Sequence, residues 1–158
     1  MKNYSIPFGF TLIELMITIV LVVLLSGGAL AAYLNFNKSQ TMQNDARQVL
    51  SELNKARTMA TSQQYPAGCT SLQGVKVAGD ANETDITVTT LCGSGNPPGN
   101  EIKVLTNSTF MTAVDITFLP GSGYVSDGAG KEIVIRDDVS PTVTKTVSVE
   151  ANGLASIL

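Results

Sequence analysis

The chain has 158 residues, with ten Lys or Arg against thirteen Asp or Glu and a formal net charge of −3. Histidine is absent, which removes the commonest general base and metal ligand and excludes a Ser-His-Asp or Cys-His catalytic arrangement within the chain. No block of basic residues offers a footprint for nucleic acid or anionic lipid.

In chain order, residues 1–9 form a short polar leader whose one charge is Lys2. Leu15 to Leu34 then carry no charge. That run is about 20 residues, enough for a helix to cross the roughly 30 Å hydrocarbon core of a bilayer. A single span has to be helical, because only a helix satisfies its own backbone in lipid. Lys2 favours a cytoplasmic amino terminus, which would place the soluble domain beyond the span in the periplasm or outside. Ser26-Gly27-Gly28 interrupts the apolar run and is where the helix is expected to yield if it yields anywhere, since each glycine costs a helix interior about 1 kcal/mol relative to alanine.

Glu14, at the mouth of the run, has two readings. A carboxylate in a membrane segment is a functional hypothesis by default. It either stays wet at headgroup level, near the favourable end of a helix dipole, or it pairs with a positive amino terminus. Cutting the chain after Gly9 would create such a terminus at Phe10, four residues ahead of Glu14, and a neighbouring copy could supply the same group.

Helix is expected to continue beyond the apolar run. Met42, Ala46, Val49, Leu50, Leu53, Ala56 and Ala60 recur at helical spacing as one apolar face, with Asp45, Glu52, Lys55 and Arg57 mostly off it. Pro66 sets the end near Gln63 to Tyr65. From Gly74 the pattern changes to period-two strands: Val75–Val77, Ile86–Thr89, Ile102–Leu105, Val114–Phe118, Ile133–Ile135 and Val143–Val149. Pro120–Gly123 and Asp127–Gly130 are turn signals, residues 93–100 are a loop, and Asn152-Gly153 marks a hairpin. The expected fold is α+β: a long amino-terminal helix, lipidic in its first half and amphipathic in its second, packed on an antiparallel sheet of six or seven strands or on a two-layer β-sandwich. The expected segments are a leader at 1–9, a membrane and assembly helix at 10–34, an amphipathic helix at 35–65 and a β-rich domain at 66–158.

Cys69 and Cys92 are the two cysteines. In a domain outside the cytoplasm an even pair reads as a disulfide, the alternative being two buried free thiols. Closing a loop of about 24 residues stabilises a fold by roughly 3 kcal/mol in the chain-entropy model.

The string Gly9-Phe10-Thr11-Leu12-Ile13-Glu14-Leu15-Met16 resembles the signal of type IV prepilins and type II secretion pseudopilins. The resemblance implies a pilin fold, cleavage after Gly9 by a membrane prepilin peptidase, N-methylation of the new terminal Phe10, and an assembly role for Glu14. It further implies a single-pass subunit of the bacterial inner membrane that joins other pilin or pseudopilin subunits in a fibre. Unlike an ordinary signal peptide, the cleavage site precedes the apolar region, so the mature protein keeps its helix. The stretch Val49 to Gln63, with its Ala56-Arg57 pair and Ala60 ahead of Gln63, is similar to the helix end of the H-type minor pseudopilins, the GspH/FimT family. Ile116-Thr117-Phe118 before Pro120-Gly121 and the late Asn152-Gly153 also fit that family. Both cysteines lie early in the soluble domain, unlike the carboxy-terminal staple of many major pilins.

No enzyme activity, metal or cofactor is expected. Asp127-Gly128 and Asp137-Asp138 could suggest calcium, which prefers clustered oxygen ligands, but acidic turn residues more often cap or solvate a turn. The alternative function is a DNA-binding minor pilin for DNA uptake. That role needs a basic face for phosphate contacts, and the tail from Glu150 to Leu158 has no Lys or Arg, so nucleic acid is not an expected partner.

Overall fold

A computed structural model describes residues 9–64, 66–138 and 143–158, with backbone only for 27–32. The expected leader lies outside the described residues except for Gly9. The chain divides into two compact units, 1–39 and 40–158.

In the first unit the chain enters helix α1 (Leu12–Thr61), which is α-helical without interruption through Ser26 and the two glycines after it. The Ser26 hydroxyl donates to the Val22 carbonyl at 2.6 Å. Among the described residues, no helix is long and apolar enough to cross a membrane. The span expected at 10–34 includes residues 27–32, whose side chains lie outside that description.

The second unit holds the rest of α1 and, among the described residues, eight strands: β1 (Leu72–Gly79), β2 (Asp85–Cys92), β3 (Asn100–Lys103), β4 (Ser108–Phe110), β5 (Val114–Phe118), β6 (Lys131–Asp137), β7 (Thr144–Val149) and β8 (Ala155–Ile157). They form two four-stranded antiparallel sheets, ordered β3-β2-β1-β5 and β4-β6-β7-β8. The strand count exceeds the expected six or seven. The addition is β4, three residues that pair Phe110 with Ile135, while β8 closes the hairpin expected at Asn152-Gly153. The strand expected over Ile102–Leu105 stops at Lys103. Val104 and Leu105 instead turn inward, their amides both donating to the Thr84 carbonyl at 3.2 and 3.1 Å, and both side chains are buried.

The α1 stripe of Met42, Ala46, Val49, Leu53, Ala56 and Ala60 is buried in one core with Val75 and Val77 of β1, Ile116 and Phe118 of β5, Phe110 of β4, Ile135 of β6 and Val147 of β7. Burial of its Val, Leu, Ile, Phe and Met side chains contributes about 1.5–3 kcal/mol each. α1 closes four residues ahead of Tyr65. Gln63 adopts a left-handed φ of 50°, its amide bonds the Ala60 carbonyl, and the Gln64 amide bonds the Met59 carbonyl. That is a Schellman closure with glutamine in the place where glycine is usual. A second left-handed residue, Asn82 (φ 69°), joins the two sheets at the β1–β2 turn. Its amide donates to Phe110 of β4, and its side-chain oxygen accepts from Arg136 of β6 at 2.5 Å.

Candidate functional site

The start of α1 is built by Thr11. The Glu14 amide donates to Thr11 Oγ1 at 3.3 Å and the Leu15 amide to the Thr11 carbonyl at 3.2 Å. A helix start leaves four amides without partners, and a threonine at the cap takes one of them. Thr11 and Glu14 have the spacing of a capping box, which the sequence reading missed although both residues stand in the quoted string. Glu14 therefore lies in the first turn, exposed, where a negative charge interacts favourably with the helix dipole. Gly9 and Phe10 precede the helix, and both are exposed.

Around and beyond Glu14 the surface is apolar. The large hydrophobic side chains from Leu12 to Leu25 are each 52% to 77% exposed. Ile13, Leu15, Met16, Ile17, Ile19 and Val20 fall on successive positions, so they surround the helix on every side. A helix that is hydrophobic all round is normally buried, in protein or in lipid.

In the second unit three junctions hold the domain together. Cys69 and Cys92 are joined by a disulfide, with Cα atoms 5.5 Å apart. It ties the segment after α1 to the end of β2. Ser94 reinforces the tie: its hydroxyl donates to the Gly68 carbonyl at 2.7 Å and accepts from the Thr70 amide at 3.3 Å.

Asp45 corrects the reading that placed it off the apolar face. It is only 3% exposed. One carboxylate oxygen accepts from the Ser108 hydroxyl at 2.5 Å and from the Thr106 and Asn107 amides at 3.3 Å. The spacing carried the signal: Asp45 lies three residues after Met42 and four before Val49, on the stripe itself.

Arg57 occupies the third junction. Its stem runs beneath two turns, at Gly123 and Gly153. A Cβ at Gly153 would lie 2.0 Å from the Gly123 carbonyl oxygen and 3.0 Å from Arg57 Nε. Arg57 Nη2 donates to the Asn152 carbonyl at 3.4 Å, while the buried Nε has no acceptor among the described residues.

Among the described residues no group of three or more Cys, Asp or Glu is placed to hold a metal ion. Asp127, one of the two acidic turn signals, pairs with Lys131 instead. That hydrogen bond, with a second from the Ala129 amide, holds the Asp127 carboxyl below the usual range and raises the Lys131 ammonium above its own.

A helix leading into two antiparallel sheets, with apolar side chains exposed on every side from Leu12 to Leu25, defines a pilin-like structural subunit. The type IV minor pilin FimU of Pseudomonas aeruginosa has a similar fold in two crystal forms. One matches with a TM-score of 0.53 at 15% identity over 73% of this chain and 91% of FimU. The other matches with a TM-score of 0.54 at 13% identity over 78% and 92%. No curated protein matches the sequence significantly. The family model described as "Type II transport protein GspH" matches residues 45–153, and the chain belongs to the GspH family. The match begins at Asp45 and ends at Gly153, so it takes in the Asp45 and Arg57 junctions and both cysteines.

Proposed function

We propose that this subunit assembles into a pilus or type II secretion pseudopilus through the amino-terminal half of α1. The observation that carries the reading is the all-round apolar surface from Leu12 to Leu25. Soluble monomers rarely expose a continuous apolar patch beyond a few hundred Å². Before assembly, lipid of the inner membrane covers this surface, with the second unit on the periplasmic side. After assembly, the helices of other pilin subunits cover it. Prepilin peptidase cuts between Gly9 and Phe10, and Phe10 is methylated. Glu14 then meets the terminal ammonium of a neighbouring subunit, which offsets the cost of moving a carboxylate out of water. The same ammonium and carboxylate set the register between neighbours. No observation favours the DNA-uptake alternative.

The test has two parts. Intact-mass and amino-terminal sequencing of membrane-extracted protein should find a mature chain starting at Phe10. A chain still starting at Met1 in cells with active prepilin peptidase would refute the processing step. Glu14→Ala should leave the protein folded and in the membrane, since apolar segments insert more readily, while recovery of co-purifying pilin subunits falls. Equal recovery of partners with full fibre function would reduce Glu14 to a helix-capping residue.

A further inference from the structure

The sheet β3-β2-β1-β5 ends on β3, which has no strand partner on its outer side among the described residues. An open edge of this kind is a template for another strand. Successive residues of a strand face opposite sides of the sheet, and on β3 the two sides present different surfaces. Asn100 and Ile102 line an apolar groove of about 300 Å³, shared with Ala56 and Met59 of α1, Val88 of β2 and Pro97 of the preceding loop. Glu101, between them in sequence, lines a different cleft of about 470 Å³. There it stands with Asp80, Glu83 and Asp85, while the cleft's Lys76 is paired with Asp115 at 3.1 Å. The register accounts for the division: Val88 pairs with Asn100 on the groove side, and Thr87 pairs with Glu101 on the cleft side.

We propose that β3 is a docking edge for an extended segment of a partner protein in which large apolar and basic side chains alternate. Strand addition supplies affinity through the main chain and specificity through pockets for alternate side chains. An added strand in register with β3 drops every second side chain toward Met59 and Ile102, where the groove is apolar. It sends the intervening ones toward Glu101, Asp85 and Glu83, on the side where five carboxylates line the cleft against Lys76, already paired with Asp115, and where Lys103 follows Glu101 two residues on. Charge complementarity therefore selects lysine or arginine at those positions and rejects acidic segments. Self-pairing of β3 is disfavoured by the same features, because the strand is only four residues long and carries exposed Glu101.

The test uses the full-length protein in detergent and a fluorescent peptide, Lys-Leu-Lys-Val-Lys-Leu-Lys. A control peptide of the same composition has its lysines in one block. The alternating peptide is expected to bind at least about tenfold more tightly than the block peptide, and to slow amide hydrogen exchange at Asn100–Lys103. Met59→Lys and Glu101→Lys should each weaken binding by about tenfold, with exchange in the β4-β6-β7-β8 sheet unchanged. Glu101 is exposed, so its variant tests the idea even if the Met59 variant misfolds. Equal binding of the two peptides, protection elsewhere than β3, or no saturable binding would each overturn the proposal.

Discussion

At Asp45 a single carboxylate oxygen accepts three hydrogen bonds, from Ser108, Thr106 and Asn107. It fastens α1 to the segment that leaves β3 and enters β4, just past buried Val104 and Leu105. Removing the acceptor leaves buried donors without partners, at about 1–3 kcal/mol for such a group. Asp45→Ala is therefore expected to lower unfolding free energy by about 3 kcal/mol in urea titration, and Asp45→Asn by roughly half of that, because it keeps one acceptor oxygen. A loss under about 0.5 kcal/mol for the alanine variant, the range of ordinary surface substitutions, would contradict the role given to this residue. Asp127 and Lys131 show the opposite case, an exposed pair whose effect is on titration. A carboxyl with its folded pKa held low adds stability above its unfolded value, near 3.8, and loses it as pH falls through the folded value. The raised lysine adds stability below its unfolded value, near 10.5, and loses it as pH rises through the folded one. Lys131→Met should move the Asp127 carboxyl upward in an NMR titration, and an unmoved midpoint would show that the Ala129 amide alone sets it.

The elements meet at the end of α1, where Arg57 lies under the Gly123 and Gly153 turns. Gly153 has φ +80°, its amide bonds the Glu150 carbonyl, and the Glu150 amide bonds the Leu154 carbonyl. Asn152 does not share the left-handed conformation, so this is a longer turn with glycine at its left-handed position rather than a two-residue hairpin. Gly153→Ala combines that conformation, costing about 1–2 kcal/mol, with a clash against backbone that cannot move aside. It is expected to lower the melting midpoint by more than about 8 °C for a domain of this size, and an unchanged midpoint would show that the turn is free to shift. Much of this architecture is legible in the sequence because its signals are local. The apolar stripe of α1 repeats every three to four residues, and strands such as Val114–Phe118 and Ile133–Ile135 alternate cleanly. What escaped depends on partners distant in sequence. β4 is three residues with no alternation to read, and it exists because Phe110 finds Ile135. The break after Lys103 depends on the Thr84 carbonyl, and the burial of Asp45 on donors more than sixty residues away. The amino-terminal string was the most readable feature, because a lone acid before a charge-free run is conspicuous without any fold.

At the scale of the whole molecule the two units call for different surroundings. The second, 40–158, has its own core of helix and two sheets, with the disulfide tying α1's exit to β2. In the first, among the described residues, the large apolar side chains from Leu12 to Leu25 are all more than half exposed. A stable protein does not leave such a surface in water, and membership of the GspH family points to other pilin-like subunits as its cover. The most direct measurement is site-specific photo-crosslinking in cells that make the complete fibre system. A photoreactive residue at Ile17 is compared with one at Glu132, an exposed position on β6. Ile17 is expected to give protein adducts, with the crosslinked peptide mapping to the amino-terminal helix of another pilin subunit, and Glu132 no such adduct. Ile17 adducts confined to lipid while the fibre assembles and works would contradict assembly through this helix.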